Sequence, residues 1–210
     1  MTTLARTERA ALCDLALRLG PDAATMCRGW TVRDLVVHLV VREGSPASVG
    51  IAVPPLSGLT ERAYARARRR PFESLVERLR SGPPRLSPLS LPKLDEVANG
   101  IEMFVHHEDM RRGRPGWEPR ELDTATADRL WSAVAGFGRR LVAKAPVGVV
   151  AERAPEDTVA VLRDTAPSVT VAGPPAEVLL YLFGRREGAR VRLRGSESAV
   201  ARLTETSLGV

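Results

Sequence analysis

The feature that most constrains this chain is a change of period. Apolar residues recur at helical spacing up to about Ala145, and short valine-rich runs replace them afterwards. Five stretches carry the helical spacing. The first, about Leu4 to Leu19, lines Leu4, Ala11, Leu12, Leu15 and Leu19 along one face and stops at Gly20-Pro21. The second follows Thr31, whose side chain can cap it, with Asp34 three residues on in the place of a capping-box acid. A third covers about Thr60 to Arg80 and is broken at Pro71, which has no N–H for an interior helix bond. The fourth runs from about Lys93 to Arg112 and the fifth from about Thr124 to Ala143, with Gly113-Arg114-Pro115-Gly116 between them. Gly44 to Gly58 and the proline-rich Ser81 to Pro92 read as connections.

Past Ala145, the runs PVGVVAER, TVAVLRD and SVTVAG read as strands separated by Pro, Asp and Gly. PPAEVLLYLFGRR is a short helix opening on proline, ARVRLRG alternates like a half-buried strand, and SESAVARLTET is a closing helix. Helices followed by mixed strands and helices suggest two modules. The expectation is an all-α helical bundle over residues 1–145 and a small α+β domain over 146–210.

Charge narrows function less than it first suggests. The formal net charge is +6 and the pI about 10.3, as in many nucleic-acid binders. Of the 31 basic residues, however, only Lys93 and Lys144 are lysines, a bias that a GC-rich coding sequence supplies by itself. The arginines are scattered among 25 acidic residues. The one dense run, Arg66, Arg68, Arg69 and Arg70, has only Tyr64 and Phe72 as aromatic neighbours and reads as a solvated helix face. The N-terminal stretch carries Arg and Glu inside its apolar pattern, unlike a signal peptide. No apolar run approaches the ~20 residues needed to span a bilayer. Cys13 and Cys27 are too few for a disulfide framework and read as buried structural thiols. A cytoplasmic protein follows, monomer or homodimer, acting on a small molecule without nucleic acid or membrane.

The chemistry lies in the histidines, of which there are three: His38, His106 and His107. Glu102 and His106 stand four residues apart, one turn along a helix face, so a carboxylate and an imidazole can point at a common centre. His38, from a different helix, can supply a third ligand. Two imidazoles and a carboxylate suit zinc, or another divalent ion such as Ni2+ or Fe2+, and three protein ligands leave a coordination position open. Such Glu–His pairs also arise by chance on exposed helices, and a lone His38 beside Leu35 and Leu39 could be an ordinary core histidine. Against that, Glu102 lies in the apolar IEMFVHH, where an unpaired carboxylate is costly to bury. His107 points about 100° away from His106. Asp109 could orient an imidazole or pair with Arg112 or Arg33.

GWTVRDLVVHLV, followed some sixty residues later by NGIEMFVHHEDMRR, resembles the DinB-like superfamily, in particular its actinobacterial branch related to mycothiol-dependent maleylpyruvate isomerase. Gly29, Trp30 and His38 match one motif of that family; Glu102, His106 and Asp109 match the second. GPPAEVLLYLFGRR is similar to the family's small C-terminal domain, which contributes an arginine to the active site. Arg185 is the best match to it, with Arg186 its rival. The resemblance implies an up-down-down-up four-helix bundle holding zinc or a similar ion, and mycothiol as co-substrate. The shorter chain, HHEDMRR and the loop REGSPASVGIAVPPL depart from the isomerase, so its substrate is not carried over.

Three functions fit these residues. In the first, a metal-dependent thiol transferase or isomerase activates a low-molecular-weight thiol, and Arg185 or Arg186, with Arg42, holds a carboxylate on the electrophile. In the second, the ion activates water in a hydrolase or lyase. In the third, the metal site is a non-catalytic scaffold.

Overall fold

In the computed structural model the described residues are 3–45, 57–84 and 99–209. Most of the expected Gly44–Gly58 and Ser81–Pro92 connections, and the helix start expected at Lys93, lie outside them. The contacts divide the chain into two compact units, Met1–Glu118 and Pro119–Val210.

The first unit is helical. Helix α1 spans Leu4–Leu19, opens with the Thr3 side chain accepting from Arg6 N and closes at Gly20, whose φ of 80° is the left-handed conformation that glycine adopts freely. Helix α2, Val32–Gly44, carries the expected capping box: the Thr31 side chain accepts from Asp34 N, and Asp34 reaches back to Thr31 N. Pro71 separates α3, Ser57–Arg68, from α4, Phe72–Arg80. Helix α5 is Gly100–Arg111, with Asn99 before it already in helical conformation. Helix α1 lies against α4 and α5, and α2 against α3 and α4. Leu12, Leu35, Leu39, Leu75, Leu79, Met103 and Met110 close the core between them. Cys13 joins this core as expected, and burial pushes its thiol up to about 11.

Charged side chains are also buried here, each with a partner. From α1, Glu8 meets His107 of α5 at 2.7 Å and Arg9 meets Glu43 of α2 at 2.5 Å. Glu108 accepts from Arg112 Nε at 2.6 Å and from Arg111 at 3.0 Å. After α5 the chain passes very close to residues 24–25: a Cβ on Gly113 would lie 2.4 Å from Ala24 O.

The second unit opens with α6, Thr124–Leu141, capped by the Asp123 side chain. The four strands β1 Gly148–Arg153, β2 Thr158–Arg163, β3 Ser168–Gly173 and β4 Arg192–Arg194 form a sheet of order β2-β1-β3-β4. Its central pair, β1 and β3, is parallel, in register from Gly148↔Ser168 to Arg153↔Gly173, and the outer pairs are antiparallel. Helix α7, Pro175–Leu182, connects β3 to β4 and is buried throughout; α8, Glu197–Glu205, closes the chain.

A helical part followed by an α+β part is as expected, but the boundary is not at residue 146. Helix α6 belongs with the sheet: its apolar face packs on α7 and β2, and Gly138 admits Leu162 where a Cβ would stand 3.0 Å from both leucine methyls. Composition changes near residue 146 because secondary structure changes there; compactness divides the chain about 27 residues earlier. No helix among the described residues is long and apolar enough to cross a membrane.

Candidate metal centre

His38 on α2 faces Glu102 and His106 on α5, where the four-residue spacing puts the last two on one side of the helix. Both imidazoles turn Nε2 toward Glu102 Oε1, His38 at 3.3 Å and His106 at 3.2 Å. All three donor atoms lie within 4.8 Å of one another. Donors each about 2.1 Å from a tetrahedral ion stand about 3.4 Å apart, so this spacing suits ligands around one centre.

The outer nitrogens are held from behind. His106 Nδ1 is 2.9 Å from Oδ2 of the fully buried Asp109, and Cys27 Sγ donates to the same oxygen at 3.2 Å. An ionised carboxylate can only accept, so His106 Nδ1 carries its proton and Nε2 is left to bind a proton or a metal. His38 Nδ1 is 2.9 Å from the Tyr64 hydroxyl on α3. The rings of Trp30 and Tyr64 flank His38 at centroid distances of 5.3 and 6.3 Å.

The charges are set by the same contacts. Burial opposes ionisation of Glu102, but hydrogen bonds from His106 and His38 and the nearby charges of His106 and Arg42 outweigh it and hold the carboxyl well below its usual 4.5. Burial also opposes a charged His106, yet Asp109, Cys27 and Glu102 outweigh it and push its pKa well above 6.5. At His38 burial wins, and the pKa falls. These contacts thus favour the neutral form of His38, the anionic form of Glu102 and the cationic form of His106. Two imidazoles and one carboxylate, converging on a point with their outer atoms oriented, fit a divalent ion.

Arg42 is at the cluster, with Nε 3.3 Å from Glu102 Oε1 and Nη1 donating to Asn99 Oδ1 at 2.6 Å. Of the open alternatives, Asp109 is the group that orients His106. His107 is turned away to Glu8, and Cys27 is a partly buried thiol bonded to Asp109 rather than an inert core residue. Arg185 and Arg186 lie in the second unit. There Arg186 donates to the carbonyls of Leu203, Thr204 and Thr206 at the end of α8, and Arg185 Nη1 donates to Phe183 O at 2.7 Å. Tyr64 and Asn99 are the participants that sequence spacing did not flag, since each reaches the cluster from an element with no fixed offset to the histidines.

Residues 3–88 match the family model described as the mycothiol maleylpyruvate isomerase N-terminal domain. Among solved structures the chain is similar to the mycothiol-dependent maleylpyruvate isomerase at 17% identity and a TM-score of 0.62, covering 92% of this chain and 95% of that one. A histidine-to-alanine mutant of that isomerase gives 16% identity, a TM-score of 0.61 and the same coverage. None of the curated proteins matches the chain. The resemblance carried by GWTVRDLVVHLV is thus matched by the family model over residues 3–88, NGIEMFVHHEDMRR lies beyond that match, and the chain shares the fold of the mycothiol-dependent maleylpyruvate isomerase along nearly its whole length.

Proposed function

We propose that His38, Glu102 and His106 hold a divalent ion, zinc on the donor set, and that the protein is a mycothiol-dependent isomerase or thiol transferase. The observation that carries this reading is the convergence of three donor atoms whose outer nitrogens are held by Asp109 and Tyr64. The ion, when bound, supplies a positive charge that lowers the pKa of a thiol and favours the nucleophilic thiolate at neutral pH. Around it, Asp109 keeps His106 Nε2 available and Tyr64 orients the His38 ring through Nδ1. Arg42 steadies the Glu102 carboxylate and adds positive charge beside it. Arg185, rather than Arg186, is the arginine this reading assigns to a carboxylate of the electrophile, because Arg186 caps α8.

Elemental analysis of untagged protein tests the metal. Mixing the loaded protein with mycothiol and a panel of electrophiles, maleylpyruvate analogues and epoxides included, tests the reaction. Metal- and mycothiol-dependent conversion of an electrophile, with the thiol consumed in a transfer and returned in an isomerisation, supports the assignment, and no such conversion across the panel overturns the reaction while leaving the metal intact. His38→Ala separates catalysis from scaffolding: loss of metal without unfolding supports a functional ion, and unfolding makes the ion structural.

A further inference from the structure

The arginine run of α3 reads in the sequence as a solvated face, yet in the fold it borders a groove. Val40, Val41 and Gly44 of α2, Ala63 and Ala67 of α3 and Leu75 of α4 enclose a cavity of about 320 Å3, with Arg66, Arg70 and Arg78 at its edge. Ala63, Arg66 and Ala67 share one face of α3 by their spacing of three and four residues, and Arg70 follows in the turn after the helix ends. Small side chains thus alternate with long cations along the same wall. The groove shares no residue with the His38–Glu102–His106 cluster.

The cations here differ in whether a carboxylate faces them among the described residues. Neighbouring arginines are paired, Arg68 with Asp34 at 3.0 Å and Arg80 with Asp14 at 2.7 Å. Arg66, Arg70 and Arg78 make no ion pair among the described residues. Arg78 is nonetheless fixed: Nη1 donates to Ser81 Oγ at 3.1 Å and to Gly82 O at 2.9 Å, both neutral acceptors. Gly44 leaves the room for it, since a Cβ there would lie 3.1 Å from Arg78 Nη2. A placed, uncompensated guanidinium beside an apolar hollow matches one ligand chemistry. The charge takes a carboxylate and the hollow takes a short hydrocarbon tail.

The geometry points to a second small-molecule site between α2, α3 and α4 that binds an amphipathic carboxylate, its head between Arg66, Arg70 and Arg78 and its tail over Val40, Ala63 and Ala67. The cavity is at the small end of ligand pockets, which limits the tail to about eight carbons or one ring.

Calorimetric titration of the full-length protein with octanoate tests this, with octanamide and acetate as controls that remove the charge and the tail. Octanoate is expected to bind at least about tenfold more tightly than either control. Ala67→Leu, which fills the hollow, and Arg70→Glu, at an exposed position, should each weaken octanoate by a similar factor, and Arg70→Glu keeps the test valid should Ala67→Leu not fold. Equal binding of octanoate and octanamide, equal binding of octanoate and acetate, binding indifferent to both substitutions, or no binding at millimolar octanoate overturns the site.

Discussion

Replacing Asp109 with asparagine separates charge from shape at the centre of the cluster. The carboxylate is fully buried and takes Nδ1–H of His106 at 2.9 Å and the Cys27 thiol at 3.2 Å on a single oxygen. Asparagine has nearly the same volume and can present its carbonyl oxygen at that point, so what is lost is the negative charge. A hydrogen bond to a charged group contributes about 1.5–3 kcal/mol and a neutral one about 0.5–1.5. The difference of about 1–1.5 kcal/mol is close to a factor of ten in affinity. Removing a group that orients a metal-binding imidazole costs about 10–100-fold, which brackets the same figure. Asp109→Asn is therefore expected to bind zinc about tenfold more weakly in competition with a chromophoric chelator.

The pH dependence of that titration carries a second readout. In the parent protein, binding must displace the proton that Asp109 and Glu102 hold on His106, so affinity should climb with pH through the raised pKa of His106. Without the Asp109 charge that pKa falls, and the climb should finish at lower pH. An Asp109→Asn protein of unchanged circular dichroism that binds zinc within twofold of the parent, with the same pH profile, refutes the reasoning.

Three further outcomes follow from the same contacts. Tyr64→Phe removes a neutral partner of His38, and zinc affinity should fall by about 2–10-fold, less than for Asp109→Asn. In the metal-free protein, the raised His106 contributes stability that is complete below 6.5 and lost as pH rises through its folded pKa. The lowered Glu102 contributes stability that is present above 4.5 and lost as pH falls through its own. The lowered His38 acts in the opposite sense, its stability being present above 6.5 and lost as pH falls through its folded pKa, so thermal melts should peak near 6.5 and decline on the alkaline side, a decline that zinc abolishes. Gly113→Ala drives a Cβ against Ala24 O and should lower stability by about 1–3 kcal/mol in urea unfolding; an unchanged midpoint would show that the turn yields easily.

The helices and strands were legible because their periods, Thr31-Asp34 and Pro71 are local signals. His38, Glu102 and His106 were legible for a similar reason: histidine is scarce here, and a four-residue spacing fixes two of the three directions. The boundary after Glu118 was not, because what joins α6 to the sheet is the fit of Leu162 over Gly138, a contact 24 residues apart in sequence that leaves no mark on composition. Tyr64 was hidden likewise, since nothing in the sequence says which face of α3 turns toward α2. The arginines at the end of α3 and just after it were visible as a run, but only the fold shows Arg68 paired with Asp34 while Arg66 and Arg70 border a hollow.

Glu8 and Arg9 are neighbours in sequence and opposite in charge, and they reach different buried partners on different helices, His107 on α5 and Glu43 on α2. One residue of slippage turns a helix by about 100° and slides it about 1.5 Å, enough to bring a carboxylate toward Glu43 or a guanidinium toward His107. An apolar seam would forgive such a slip; two opposed buried charges penalise it. The pair thus works as a key that admits α1 in one alignment only, which in turn fixes where α5 presents Glu102 and His106.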